Sequence, residues 1–453
     1  MIHLYNTRTK TKEAFKPING NNVRLYTCGP TVYHYAHIGN LRTYIFEDIL
    51  KRTLKHAGHH VNHVMNITDV GHLTDDADSG EDKMEKGARR EGKTAWDVAQ
   101  FYTEAFQRDI AVLNIEEPTI WCKATDHISE QVEMVQALID TGYTYETSDG
   151  IYFDTTKFPS YGEMANLKNQ TLEAGARVDM GEKKHPNDFA LWKFSKEGES
   201  RQMEWDAFGR KGFPGWHIEC SAMARKYLGD QFDIHCGGID HVPVHHTNEI
   251  AQTEAVTGKS PSVNFWMHGE FLTIETGEKM GKSGDNFLTI QTLIEKGYDP
   301  LAYRYFLLQA HYRKQLAFSW EALDAASTGL KRLRKTVASL SDIQANHHVE
   351  QEFYDALADD LNTASALAVL WGGLNDGTIS TQTVIEFDKI LGLDLHKVET
   401  EVTRDIPPEI QELLTMRGAA RDNRDWAESD RLRDEIKARG FEVKDTSEGQ
   451  ELV

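Results

Sequence analysis

"CGPTVYHYAHIGNLRTYIFEDILKRTL", Cys28 to Leu54, sets the architecture of the chain. Just upstream, "VRLYTC" is a short apolar run that reads as a buried strand. Gly29-Pro30 breaks it. "GNLRTYIFEDILKRTLKHAG" then carries helical periodicity, with Ile45, Ile49 and Leu54 recurring near one face and Gly58 as the stop. "HHVNHVMNIT" alternates and reads as a second strand. Strand, loop, helix and strand make a βαβ unit, the opening of a parallel α/β sheet. The junction itself is unusual: a lone cysteine, then histidine and aromatic side chains, then a helix opening at Gly39.

Working outward, 453 residues exceed one typical core and predict two to four domains. The first residues, "MIHLYNTRTKTKEAF", have no apolar leader, and no run is long enough to span a bilayer, so no membrane partner is expected. Four cysteines at unrelated spacings argue against a disulfide framework and for a reducing cytoplasm, where thiols are free to bind metal. The formal charge of -21 disfavours nonspecific nucleic-acid binding but allows a local basic face. "GLKRLRKTVASL" puts Lys331, Arg332, Arg334 and Lys335 on one helix, where a solvated face is the better account of them.

Residues 69–93 read as an acidic loop, whose "DDADSGED" lacks calcium-loop spacing. Helices are expected near 94–114 and 126–142, then a hairpin at "YTYETSDGIYFDTT" and irregular structure with short strands through "GARVDMGEKKHPNDFALWK". Parallel α/β resumes with "FDIHCGGID" as a strand and "HHTNEIAQTEAVTG" as a helix. From about Ser319 the pattern is helical, Pro407-Pro408 reads as a linker, and the tail as a small helical unit.

Two constellations carry chemistry. In "HHTNE", His245 and Glu249 stand at i and i+4, on one face of a helix, close enough to reach one ion or simply each other. Cys28 and Cys220 can complete a set of two thiols, an imidazole and a carboxylate, which suits zinc. Cys122 and Cys236 compete for the same role. The second constellation is "HIGN", His37 to Asn40, with "GEKMGKSGDN", Gly277 to Asn286. A helix N-terminus favours phosphate, Gly39 permits close approach, and His37 can donate to it. A lysine-bearing loop can close on a triphosphate and stabilise charge as pyrophosphate leaves.

On these motifs the chain resembles the class I aminoacyl-tRNA synthetases. More narrowly it resembles the cysteinyl-tRNA synthetase family, through "YTCGPTVYHYAHIGN", "NITD", "GARVD", "DFALWK", "PGWHIECSAMA", "FDIHCGGID", "HHTNEIAQ", "KMGKS", "RYFLLQAHYR", "DDLNTASALAVL" and "DWAESDRLRDEI". The resemblance implies an α/β fold: a Rossmann-type catalytic domain in two halves, 1–120 and 213–265, with a connective insertion at 121–212. A stem-contact region with the "KMGKS" loop follows at 266–319, a helical bundle at 320–404 and an anticodon-binding unit at 405–453. It implies one zinc per chain on Cys28, Cys220, His245 and Glu249. ATP falls to His37, Gly39, Asn40 and Lys282, and catalysis to His37, Asn40, Lys279 and Lys282. Cys28, Thr68, Trp216 and Asp240 fall on the amino-acid and adenylate pocket. L-cysteine, ATP with Mg2+ and tRNA(Cys) are the implied partners of a cytoplasmic enzyme, expected to be a monomer. Its reaction would form cysteinyl-adenylate and then transfer cysteine to the tRNA 3′ end.

There are departures. Asn40 stands where the family usually has His, Gly281 where Ser is usual and Phe213 where Arg is common, and Cys236 replaces a Gly. Two other readings use the same core: an adenylating ligase joining cysteine to a small amine, and a noncatalytic paralogue binding cysteine, zinc or RNA. The tail favours tRNA, with Arg417, Arg421, Arg424, Arg431 and Arg433 available for phosphates. Trp426 is expected to pack between the tail's two helices.

Overall fold

The computed structural model describes residues 1–71, 82–167, 181–196, 198, 201–274, 287–340, 346–397, 407–439, 441, 443–446 and 449–452. The "GARVD" and "KMGKS" segments, with Lys279, Gly281 and Lys282, lie outside the described residues, as does most of "DDADSGED". The chain forms two compact units, 1–396 and 397–453.

A five-stranded parallel sheet organises the first unit. Its strands are β1 (Asn22–Thr27), β2 (His60–Ile67), β3 (Ile120–Lys123), β4 (Phe232–Gly238) and β5 (Val263–Gly269), in the order β3-β2-β1-β4-β5. The order reverses between β1 and β4, and the crevice beyond their carboxyl ends is where open α/β sheets bind ligands. β2 does not alternate as its sequence suggests. Val64 to Ile67 are all buried, because a central parallel strand is covered on both faces. Helix α1 (Ile38–His56) joins β1 to β2 and buries Ile38, Leu41, Ile45, Ile49 and Leu54. Gly58, at φ +88°, turns the chain back toward β2.

Helices α2 (Trp216–Leu228), α3 (Thr247–Thr257) and α4 (Pro300–Leu308) complete the frame around the site. Between β3 and β4 the chain inserts an antiparallel sheet of Thr144–Thr147, Gly150–Phe153, Phe189–Phe194, Trp205–Ala207 and Arg210–Pro214. The boundary expected at 120/121 thus falls inside β3, and the one at 212/213 inside the last inserted strand.

The acidic stretch 69–93 is not all loop: Lys83–Glu91 is helical, capped by Asp82, whose carboxylate accepts from the N–H groups of Met84 and Glu85. Within helix Trp320–Ala338, Arg334 is no part of a basic face. It is buried, donating to Asp299 (2.6 Å) and to the carbonyl of Leu393 (2.8 Å). No helix among the described residues is long and apolar enough to cross a membrane.

The second unit contains helices Pro408–Asp422 and Trp426–Ala438 and a hairpin, Val443–Thr446 with Gly449–Leu452. Ile410, Leu413, Leu432, Ile436 and Val443 form its core. It is therefore not wholly helical, and Pro407-Pro408 is less a linker than the start of a helix, where proline's fixed φ is already suitable.

Candidate active site and metal cluster

The loop after β1 begins at Cys28, whose N–H donates to the carbonyl of Cys236 on β4 (3.2 Å). Gly29 follows because nothing larger fits: a Cβ there would sit 1.7 Å from the carbonyl oxygen of Asn66. The strand-end loops and the first turns of α1 border an open cleft, lined by Cys28, Tyr35, Asn40, Thr43, Asp240 and His241 among others.

α1 opens with a reciprocal cap. The N–H of Asn40 donates to His37 Nδ1 (3.1 Å), and the N–H of His37 donates to Asn40 Oδ1 (3.3 Å). Asn40, unusual for the resemblance, thus closes the cap. Gly39 is required by the same device, since a Cβ there would meet the His37 ring at 2.9 Å. Because His37 Nδ1 accepts a hydrogen bond, the neutral ring carries its proton on Nε2.

Cys28, Cys220, His245 and Glu249 are all buried, and one ligand atom from each lies within 4.8 Å of the others. Cys28 leaves β1, and Cys220 lies in the second turn of α2. His245 lies near the end of a π-helical turn, Val242–His246, that runs into α3, where Glu249 sits one turn on. Such π turns are frequent at functional sites. A second grouping, Cys28, His235, His246 and Glu249, satisfies the same distance, sharing two members with the first. Cys122 and Cys236 are in neither. Both thiols are pushed up by burial, and Cys122 Sγ lies 3.5 Å from the carbonyl of Met65.

The polar surroundings fix these side chains. Glu249 Oε2 lies 2.9 Å from His235 Nε2. Its Oε1 is 3.1 Å from His245 Nε2, yet is buried without a hydrogen bond of acceptable angle. His217 Nδ1 and His245 Nδ1 are 2.9 Å apart, so one carries a shared proton. Cys28 Sγ lies 3.3 Å from His246 Nε2, and His246 Nδ1 lies 2.7 Å from His268 Nε2. Burial pushes the Cys28 thiol up, whereas its hydrogen bond to Cys220 brings that thiol down. Against burial, Cys220 and Glu249 lift His245 to about 10, while His235 and His245 hold Glu249 below the usual carboxylate range. An orphaned carboxylate oxygen among two thiols and an imidazole is the donor set of a divalent-metal site.

The remaining residues named from the sequence are distributed around this centre. Trp216 begins α2 with its ring 4.7 Å from that of His245. Asp240 is exposed on the cleft wall. Thr68 is buried and turned to protein, its hydroxyl donating to Glu219 (3.2 Å). Sequence reasoning passed over Tyr35, Thr43 and His241 in the cleft, and His235 and His246 in the second grouping. The one signal for the three histidines was their crowding in "FDIHCGGIDHVPVHH".

The sequence matches two family profiles: tRNA synthetases class I (C) catalytic domain over residues 14–328, and cysteinyl-tRNA ligase anticodon binding domain over residues 403–452. It is 53% identical to cysteine–tRNA ligase 1 of Burkholderia lata, over 100% of this chain and 96% of that one. It is 44% identical to the cysteine–tRNA ligase of Treponema denticola, over 98% of each. A solved methionyl-tRNA synthetase of Mycobacterium tuberculosis, bound by methionyl-adenylate, shares the fold, with a TM-score of 0.56 at 15% identity over 82% of this chain and 88% of that one. With a catalytic profile spanning most of its length and an anticodon-binding profile on its tail, the chain belongs to the cysteine–tRNA ligases, a family of class I aminoacyl-tRNA synthetases.

Proposed function

We propose that the chain activates L-cysteine with Mg-ATP and transfers it to the 3′ end of tRNA(Cys), with the substrate thiol read at a zinc ion held by Cys28, Cys220, His245 and Glu249. The observation that carries this reading is the convergence of those four buried side chains at the sheet's switch point, beside the cleft that Cys28 and Asn40 line. Zinc, when bound, stabilises a thiolate well below the free thiol pKa of about 8.5, which a serine hydroxyl cannot match. Packing alone would separate the two substrates by only ~10²-fold.

The chain's own groups do the positioning. His235 holds one oxygen of Glu249, leaving the other toward His245. His217 orients the far side of the His245 ring. The α1 N-terminus and the Nε2–H of His37 face the phosphates, and Lys279 and Lys282 supply cationic charge as pyrophosphate leaves. The cysteine carboxylate attacks the α-phosphorus of ATP, releasing pyrophosphate. A terminal ribose hydroxyl of the tRNA then attacks the adenylate carbonyl, releasing AMP. No side-chain nucleophile is needed.

The anticodon-binding match of the tail weighs against the small-amine ligase, and the presence of His37, Lys279 and Lys282 against a noncatalytic paralogue. Cysteine-dependent exchange of pyrophosphate into ATP, measured with serine as competitor, tests the first step, and charging of tRNA(Cys) tests the second. Absence of exchange overturns the reading. Exchange without charging moves it to the small-amine ligase.

A further inference from the structure

The backbone of Ile38, at the head of α1, is held from two sides. Its N–H donates to the carbonyl of Leu288 (2.8 Å), and its carbonyl accepts from the hydroxyl of Tyr303 (2.7 Å). Tyr303 lies on α4 and is 0% exposed. A buried phenol must satisfy its hydroxyl, and the second lone pair of a helical carbonyl is available to it. The neighbouring Phe287 ring stands edge-on to His34 (4.5 Å) and to His37 (6.0 Å). One helix end is thus fixed jointly by its own cap, by the chain at Phe287–Leu288 and by α4.

We propose that Tyr303 is a positioning residue for adenylate formation: its hydroxyl sets the first turn of α1 against the Phe287–Leu288 chain and so aims that turn at the phosphates. The hydroxyl contributes nothing to apolar packing, so phenylalanine keeps the fill of the site and removes only the tie. A displaced helix terminus leaves the substrate thiol where it was but misplaces the groups that meet developing charge. The inference rests on the adenylating reading of this site.

The test is Tyr303→Phe in the full chain, compared with Tyr305→Phe on the same helix, whose hydroxyl accepts from Trp371 Nε1 (3.0 Å) instead. Cysteine-dependent pyrophosphate exchange in Tyr303→Phe should fall about 3- to 10-fold in kcat, the effect of one net hydrogen bond, with KM for cysteine and zinc content unchanged. Tyr305→Phe should keep the wild-type kcat. An unchanged kcat in Tyr303→Phe overturns the inference, as does an equal fall in both variants or a fall explained by a lower folded fraction at the assay temperature. A wild-type chain with no exchange overturns the adenylating reading instead.

Discussion

The cleft and the C-terminal unit each gather residues that the sequence had marked for a task, and they treat them in opposite ways. At the cleft, side chains from positions 28, 220, 245 and 249 meet within 4.8 Å. In the tail, the arginines named for phosphate contact do not act together: Arg417 turns into protein, whereas Arg431 and Arg433 stay exposed and pair with acids of their own helix. Arg417 is 1% exposed and donates to Gln450 (2.7 Å), Arg431 pairs with Glu428 and Glu435, and Arg433 pairs with Asp430. Buried thiols and imidazoles have few alternative partners, so their type in a converging site is informative. Arginine finds acceptors almost anywhere, so its density along a chain says little about which surface it serves.

The largest effect expected from breaking that contrast lies at the cleft. Cys28→Ser and Cys220→Ser should each abolish zinc binding by metal analysis and lower exchange by more than about 10²-fold, since even outer partners of a metal site contribute ~10–100-fold. Cys236→Ser should keep its zinc. Full metal occupancy in Cys220→Ser, with loss in Cys28→Ser and in His246→Gln, would move the ion to the second grouping. Next comes removal of residues 397–453. Charging of tRNA(Cys) should fall about 10- to 100-fold, the equivalent of about 1.4–2.8 kcal/mol of lost contacts, while exchange is retained. Charging by the full chain should also be the more salt-sensitive of the two steps. Full charging by the shortened chain would sever the tail from RNA altogether.

A smaller effect sharpens the cleft's side. Asn40→Ala opens the cap on α1, a loss of about 1 kcal/mol. Exchange should slow about 5-fold if the whole loss reaches the transition state. Asn40→His, which has a ring nitrogen able to accept from the His37 N–H, should restore most of it. Equal rates in Asn40→Ala and the wild type would show that the cap serves only the helix.

The same contrast explains what could be read in advance. The βαβ opening was legible because Gly29-Pro30 and Gly58 punctuate two different hydrophobic periods. The quartet was legible through ligand chemistry and resemblance, not through spacing. The π turn was hidden because it changes the helix register without changing residue type, and with it the second grouping through His246. Helix Lys83–Glu91 was missed because "KMEKGARRE" is polar with a glycine inside, and of its described side chains only Met84 and Ala88 pack in the core. The tail hairpin was missed because "VKDT" and "GQEL" show too little alternation to announce strands. Burial of Arg334 and Arg417 depends on acceptors distant in sequence, Leu393 for one and Gln450 for the other.

An effect of the same size concerns one ring in the tail. Trp426 was expected between the two helices, but that space is filled by Ile410, Leu413, Leu432 and Ile436. Trp426 instead opens the second helix with 58% of its surface exposed, and the Arg421 guanidinium lies 5.9 Å from the ring centre. An exposed indole beside a cation cannot be explained by core packing. It has the chemistry of a platform for an unpaired base, for which stacking is worth about 1–3 kcal/mol. Trp426→Ala should therefore raise KM for tRNA(Cys) about 5-fold, at the lower end of that range, and leave melting temperature and exchange untouched. Arg417→Ala should do the reverse in part, lowering the stability of the unit by about 1–3 kcal/mol through the buried groups it leaves unpaired. If both variants raise KM for tRNA equally with no loss of stability, burial does not separate structural from RNA-facing residues here. If Trp426→Ala leaves KM unchanged, the exposed ring is no part of the RNA surface, and Arg421 and Arg424 become the next residues to replace.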